Sequence, residues 1–576
     1  MLSRRSLLLS AAAARRPFFL GGVVDFVDDA EAAVYTPRRV DALMRLWREM
    51  GIRRVYWMHY GDASSEGFWT PYGSPGDANM TGTIHALGNP LRVAVEAARR
   101  HGLEIYGYFK PWETGLSMLF PEGSEEARRW GRLPHLGASV NCVMKIVREH
   151  PEWRIRRRQD DLPPGLAAWP IDRLRLWKTD AKSTRVGRGQ IEIWTSDHNF
   201  RYTRKPIRFE FHDAVEPAPQ DFSDLEGKIV ARKGDPLRVL TLEGFTLADR
   251  FILLTTNFAE GPADFRLSAP EMLQAFSQGR PLPITTAAGG CVGGRSSVWC
   301  ADRIDFRNWG VEFDTGFGRT VVALDAPNRD GKLGYVALAR GRNEFLPAAL
   351  CESQPEVRRF WLGEVRRILD AGVDGIDFRI ENHCTHTDDP FAYGWNDVVV
   401  REAGTDPKAI AKYRGRQYTE FLRQARQLIR ARGRKMQLHL NLEFMRPDPR
   451  PSRRLAYPWN IEFDWRGWLA EGLADEATLR TFQYTPEFVL KDEFSLEVIE
   501  QCRRRSIPLH YNRYTFAPRV SAAQYIEDLE RVRRDGRFAS FLVYESANFL
   551  VPDGDGLKPR HGVWEAVEAK AKELGL

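Results

Sequence analysis

The stretch PEVRRFWLGEVRRILDAGVDGIDFRIE (355–381) changes its hydrophobic period halfway along. The first half repeats at helical spacing, carries proline at its start and stops at Gly372, as an amphipathic helix does. The second half alternates every other residue, as a strand does. A helix feeding directly into a strand is the repeating couplet of parallel α/β folds.

The couplet recurs along the chain. Strand signals lie near 18–27, 53–60, 103–110, 373–381, 435–443, 478–484, 507–515 and 538–546, here called β1 to β8. Helical patterns such as VDALMRLWREMG, PLRVAVEAARRHG and AAQYIEDLERVRRDG separate them. Eight units predict an α/β protein of the (β/α)8 type, a TIM barrel. The rhythm breaks once, after β3. From 113 to 350 short strands such as GQIEIWTS, LRVLTLEG and DRFILLTT follow one another without long helices. That segment reads as a large β-rich insertion, a sandwich or small barrel. The expected organisation is a leader (1–16), β1–β3 (17–112), the insertion (113–350) and the rest of the barrel (351–576).

The 576 residues carry a net charge of +7, and the arginine excess is scattered on predicted helix faces, as at Arg423, Arg426 and Arg430. No basic stripe interleaves with aromatics, so a nucleic-acid partner is not expected. The start, MLSRRSLLLSAAAARRP, places Arg4 and Arg5 before a short apolar run and a cluster of alanines. This is the layout of a twin-arginine signal peptide, and it predicts export to the periplasm or beyond. No other stretch is long and apolar enough to predict a membrane span. The six cysteines form no CxxC pair, so a zinc ribbon is not expected. Cys291 and Cys300 are close enough in sequence to bridge a hairpin, and buried free thiols are the alternative.

Strand alternation locates the chemistry. In a barrel strand one set of side chains meets the helices and the other enters the interior. In β4 the apolar set Ile376, Phe378 and Ile380 must face the helices. Asp377, Arg379 and Glu381 then point inward. In β5 Met436, Leu438, Leu440 and Leu442 pack outward, while Gln437, His439, Asn441 and Glu443 point in. Neighbouring strands are about 4.8 Å apart. Carboxylates at adjacent strand ends therefore fall near the roughly 5 Å spacing of retaining glycosidases, with about 6.5–9.5 Å for inverting ones. A buried ion network, with Arg379 neutralising its neighbours, is the purely structural alternative.

Other strand ends add polar and aromatic groups: Asp25, His59, Lys110, Trp112, His439, Asn441, Asn512, Tyr514 and Glu545. Together they describe a deep polar mouth. Trp459, Trp465 and Trp468 follow β5 and offer flat apolar rings on which sugars stack. The loop ENHCTHTDD (381–389) supplies His383, His386, Asp388 and Asp389, which have metal-ligand chemistry without a diagnostic spacing. Strand β1 lacks the HxH pair of common metal-dependent barrel hydrolases. The chain has no P-loop and no GxSxG elbow, GGCVGG (289–294) reads as a loop, and no cofactor is expected.

The segments PEVRRFWLGEVRRILDAGVDGIDFRIENH, YGWNDVVVREAG, FDWRGWLAEGLADE and LERVRRDGRFASFLVYES resemble the family-10-like glycosyl hydrolases of bacteria. The resemblance implies a barrel hydrolase acting on a polysaccharide. A weaker likeness is to the alpha-amylase superfamily. Its strand-four segment F-R-x-D has the nucleophile two residues after an arginine, and a strand-five Glu is the acid. FRIENH places Glu381 at the nucleophile's position, with Glu in place of Asp, and Glu443 at the end of β5.

The sequence thus leads to an exported glycoside hydrolase. Glu443 is the expected proton donor and Glu381 or Asp377 the nucleophile or stabiliser. Arg379 is expected to hold that carboxylate ionised, and His383 and Trp465 to join the polar groups above in binding substrate. The rivals are a metal-assisted hydrolase using the His383/His386 loop and a non-catalytic glycan-binding protein.

Overall fold

The computed structural model describes residues 17–576 except 60–74, 118–139, 161–164, 166–167, 197–200, 224–228, 250, 257–263, 266, 268, 287–303, 308–309, 315–318, 325–334, 341–344, 382–389, 447–459, 482–483, 515–519 and 561. The expected leader and the Cys291/Cys300 pair lie outside the described residues.

Eight parallel strands close a barrel: β1 (Phe19–Val24), β2 (Ile52–Met58), β3 (Glu104–Phe109), β4 (Gly375–Phe378), β5 (Lys435–Asn441), β6 (Glu476–Thr481), β7 (Leu509–Tyr514) and β8 (Ser540–Tyr544). β8 pairs with β1, so no edge is left open. The helices between them are α1 (Pro37–Glu49), α2 (Pro90–Arg100), α3 (Pro355–Asp370), α4 (Pro407–Ala431), α5 (Trp465–Ala470), α6 (Glu493–Arg504), α7 (Ala522–Asp535) and α8 (Val563–Leu574). The (β/α)8 architecture expected from the periodicity is the one the chain adopts.

Local chemistry explains the helix boundaries. α1, α2, α3 and α4 all carry proline in the first turn, where its missing N–H costs nothing. Thr36, Asn89 and Asp406 cap three of them, each side-chain oxygen accepting from a backbone N–H three residues on. α1 buries Val40, Leu43, Met44 and Trp47, one stripe at helical spacing.

Two glycines set how close the layers approach. A Cβ on Gly107 would lie 2.6 Å from Ile368 of α3, and one on Gly375 would lie 2.6 Å from the Tyr106 ring inside the barrel. Any larger residue there would push α3 or the neighbouring strand outward.

Between β3 and α3 the chain builds mainly antiparallel sheet. A five-stranded sheet holds Ile171–Trp177, Glu210–Pro217, Pro236–Leu247, Leu273–Ser277 and Arg280–Leu282. An eight-stranded sheet includes Ile191–Ser196, Phe251–Thr256 and Tyr335–Arg340. These share a second apolar core around Leu174, Leu240, Leu242 and Leu254, separate from the barrel core. The return to the barrel is fixed by Glu352. Its carboxylate accepts from Arg414 of α4 at 2.7 and 2.9 Å, and from Trp112 Nε1 at 3.2 Å.

The N-terminal end of the barrel is closed by charge. Arg54 of β2 bonds Glu104 at 2.9 Å, pairs with Glu476 of β6 and lies 4.0 Å over the Tyr106 ring. Glu476 also accepts from Lys435 at 3.0 Å and lies 3.1 Å from His510 Nε2.

Candidate active site

The opposite, C-terminal end holds part of the set singled out from the sequence, led by Asp377, Arg379, Glu381, His439 and Glu443. Phe378 packs its ring 5.8 Å from Phe421 of α4, so the apolar face of β4 does meet the helices. Asp377 turns inward and is fully buried, as are Arg379 and Glu381 just past the strand end. Asp377 Oδ2 accepts from Arg379 Nε at 3.1 Å and lies 2.7 Å from His439 Nε2 of β5. Arg379 stacks 3.6 Å over the Tyr108 ring of β3.

Of its two expected carboxylate partners, Arg379 pairs with Asp377, and Glu381 is held by another residue. Its ion partner is Arg480 of β6, with Nη1 at 2.5 Å from Oε1. Arg480 Nη2 donates to Tyr544 OH at 3.5 Å, and Tyr544 OH donates to Asp25 Oδ2 at 3.3 Å. Lys110 Nζ lies 3.6 Å from Asp25 and 2.9 Å from Glu113. A polar chain thus crosses the mouth from β4 through β6 and β8 to β1 and β3.

Glu443 stands two residues beyond β5, in a turn rather than on the strand. Asn441 Oδ1 makes that turn by accepting from the backbone N–H of Glu443 at 2.9 Å and of Phe444 at 3.2 Å. The Glu443 side chain is buried and accepts from Thr481 Oγ1 of β6 at 2.6 Å.

Among the described residues several buried polar atoms here have no partner: both Arg379 Nη atoms, Asp377 Oδ1, Tyr108 OH, Asn441 Nδ2, and the Asn512 amide nitrogen and oxygen. Buried polar groups are normally satisfied, each omission costing about 1–3 kcal/mol. A cluster of open donors and acceptors at one barrel end suits a ligand rich in hydroxyls.

The electrostatics divide the mouth. Burial alone would raise the Glu381 carboxyl, but Arg480, aided by His439, Lys110 and Arg379, holds it down at about 2. Burial would also raise Asp377, and His439 with Arg379 reverses this and keeps it below its ordinary value. Burial drives His439 down to about 4, against the pull of Asp377, so its imidazole is neutral at neutral pH. Lys110 stays above its ordinary value, because Asp25 and Glu113 outweigh burial.

On the β8 side burial, then Asp25, pushes Glu545 up to about 8. Burial likewise pushes Asp29, bonded by Ser546 and Tyr35, up to about 7. Glu545 is therefore protonated in the folded chain and ionised in the unfolded chain over the interval from about 4.5 to about 8. Its favourable contribution is complete at low pH and is lost as pH rises through that interval. Wild-type stability falls there by up to about 1.4 kcal/mol per pH unit for this proton. Urea unfolding at several pH values should show a shallower decline for Glu545→Gln, with Asp29 supplying what remains. Parallel curves would mean that Glu545 is ionised in the folded protein.

Three expectations are corrected. His59 was expected in the mouth but faces the helix layer, where its Nε2 lies 2.7 Å from Glu364 of α3. The strand alternates: Arg54 and Tyr56 enter the interior and bond Gln437, so position 59 falls on the other face. Trp112 is buried among Trp361, Tyr418 and Phe463, with its N–H on Glu352. Trp465 is buried on α5 against Phe494 of α6, at 5.5 Å between ring centroids. Neither indole offers a face for a sugar, because both sit in apolar layers between helices. Trp468 is buried too, its N–H donating to Thr419 at 2.8 Å.

His383, His386, Asp388, Asp389 and Trp459 lie outside the described residues, as does the side chain of Tyr514. The residues missed from the sequence are Arg480, Tyr108 and Tyr544. The same period-two signal marks Arg480: Ala477 and Leu479 pack outward, so Glu476, Thr478 and Arg480 point in.

No family model and no curated protein matches the chain. Solved structures are similar at low identity. The beta-galactosidase of the psychrophilic Marinomonas ef1 matches with a TM-score of 0.35 and 9% identity, over 97% of this chain and 60% of that one. The chain therefore spans less than two thirds of that enzyme. The catalytic domain of beta-amylase from Paenibacillus polymyxa matches with a TM-score of 0.35 and 7% identity, over 97% and 100%. A morphinone reductase matches with a TM-score of 0.32 and 11% identity, over 91% and 82%. Glycosidases are among the neighbours, and so is a reductase.

Proposed function

We propose that this protein is a glycoside hydrolase acting on a poly- or oligosaccharide with two carboxylates at the C-terminal mouth of the barrel. The observation that carries the reading is Glu381, a fully buried carboxylate paired with Arg480, together with a second buried carboxylate, Glu443, past the end of the neighbouring strand. Two carboxyl groups flanking one polar concavity are what glycosidic cleavage requires. Glu443 protonates the departing oxygen. Glu381 attacks the anomeric carbon or stabilises its positive charge, and Asp377 is the second candidate for that role. The open groups of Arg379, Asn441 and Asn512 take the sugar hydroxyls. The resemblance of PEVRRFWLGEVRRILDAGVDGIDFRIENH to family-10-like glycosyl hydrolases points the same way.

The test is release of new reducing ends from a broad panel of plant, bacterial and algal polysaccharides. Wild-type protein should release them from at least one member, with activity unchanged by a chelator. Loss on chelation and return on adding metal would favour a metal-assisted reaction at the His383/His386 loop. Tight glycan binding without release from any member would favour a binding protein.

Among the described residues no helix is long and apolar enough to cross a membrane. The arginine pair and apolar run at the N-terminus support export as part of the same reading. Cell fractionation should recover the protein outside the cytoplasm, shortened by about the length of a signal peptide. An intact N-terminus in the cytoplasm would rule export out.

A further inference from the structure

Two carboxylates leave β4 for the mouth, and the structure treats them differently. Asp377 has one oxygen engaged twice, by Arg379 from the end of its own strand and by His439 from β5. Among the described residues Glu381 has one close cation, Arg480, which arrives from β6, two strands away. That cation lies against Oε1 as an ion pair at 2.5 Å, and among the described residues neither Glu381 oxygen has a hydrogen-bond partner. Arg480 is itself steadied on a further strand: its Nη2 donates to Tyr544 OH, and its guanidinium lies 5.0 Å over the Tyr544 ring.

The other groups facing Glu381 are less able to hold it. Lys110, just past β3, is engaged by Glu113 and Asp25. Arg379 bonds Asp377, His439 is neutral, and Tyr418 of α4 is an uncharged phenol. A carboxylate buried this deeply takes up a proton unless a cation is fixed beside it.

From this geometry we infer that Arg480 is the positioning residue of Glu381: its charge sits against the carboxylate and keeps the group ionised, while the hydrogen-bonding capacity of the carboxylate stays open to the sugar. The inference rests on the glycosidase reading and refines it. It makes Glu381, rather than Asp377, the carboxylate that meets the anomeric carbon. It also assigns the supporting role to a strand that no local pattern around FRIENH contains.

The experiment reads the protonation of Glu381 directly in the full-length protein. Glutamate labelled with carbon-13 at its carboxyl group is followed by NMR between about pH 4 and pH 8, inside the range where unpaired carboxyls finish titrating. The Glu381 signal is the one missing from Glu381→Gln. In wild type it should not titrate in that window. In Arg480→Gln its midpoint should rise by at least about two pH units and enter the window, in line with the shift one fixed cation produces. Arg480→Lys should give a smaller rise, because an ammonium keeps the charge but not the fork. Arg379→Gln should leave the Glu381 signal nearly in place.

A silent Glu381 in Arg480→Gln, or an equal shift in Arg379→Gln, would overturn the assignment. Should Arg480→Gln not fold, Arg480→Lys decides: a rise supports the assignment and an unmoved signal overturns it. The readout needs no turnover. A shifted Glu381 with no polysaccharide cleaved would sink the hydrolase reading alone, and cleavage with an unmoved Glu381 would sink the Arg480 assignment alone.

Discussion

If the proposed glycosidase reading holds, Glu443→Gln should lower polysaccharide cleavage by about 10²–10⁴-fold, the contribution of a well-placed proton donor, while glycan binding persists. The substitution keeps shape and hydrogen bonding. A glutamine oxygen still accepts from Thr481 Oγ1, and the turn built by Asn441 rests on backbone N–H groups that do not change. What disappears is the ability to give a proton to the departing oxygen. Reducing-end rates for wild type and variant, set beside glycan affinity by calorimetry, separate the two effects. An unchanged rate would remove Glu443 from the mechanism. Rate and affinity lost together would make it a binding group.

The second large effect is on stability and lies at the other end of the barrel. Arg54→Met should cost about 3–5 kcal/mol, because it leaves Glu476 buried without its principal cation. Burial alone would raise Glu476, but its hydrogen bond from His510 and the charge of Arg54 hold it far below the usual carboxylate range. A depressed carboxyl stabilises the fold above its ordinary value and loses that contribution as pH falls. The deficit of Arg54→Met should therefore be full at neutral pH and shrink in acid. Adding Glu476→Gln to the variant should recover much of the loss, since the uncompensated charge is gone. Urea unfolding of the two single variants and the double variant checks this. Additive losses would show that Arg54 acts through its stacking on Tyr106 rather than through Glu476.

Much of this architecture was legible in one dimension. The eight strand signals came from period-two runs, and the helices between them from stripes such as Val40, Leu43, Met44 and Trp47. The inward direction of Asp377, His439 and Asn441 followed from the apolar residues that had to face the helices. Strand limits were harder. β4 ends at Phe378 and β5 at Asn441, so Glu381 and Glu443 stand beyond the ladder, on backbone shaped by turns. Alternation still brought both near the mouth, but it contained no sign of the Asn441 turn.

The misplaced residues share one cause. His59, Trp112 and Trp465 have the composition of a binding site, and each was assigned by nearness to a strand end. Nearness does not say which layer a side chain enters. Glu364 on α3, Glu352 at the end of the insertion and Phe494 on α6 claimed them, and these partners lie 29 to more than 300 positions away in sequence.

By itself the sequence determined the class of fold, because hydrophobic period is a local property that backbone geometry converts into helix or strand. It also determined the inward set on β4 and β5, Asp377, His439 and Asn441, but not the placement of His59, Trp112 or Trp465. Only closure of the barrel decided which charges meet. Arg480 pairs with Glu381 across two strands, and Arg54 with Glu476 across the barrel, because a closed sheet brings distant inward positions within ion-pair reach. At such range, inside a buried interior, Coulomb energy and desolvation are both large, and their balance depends on positions that no local spacing encodes.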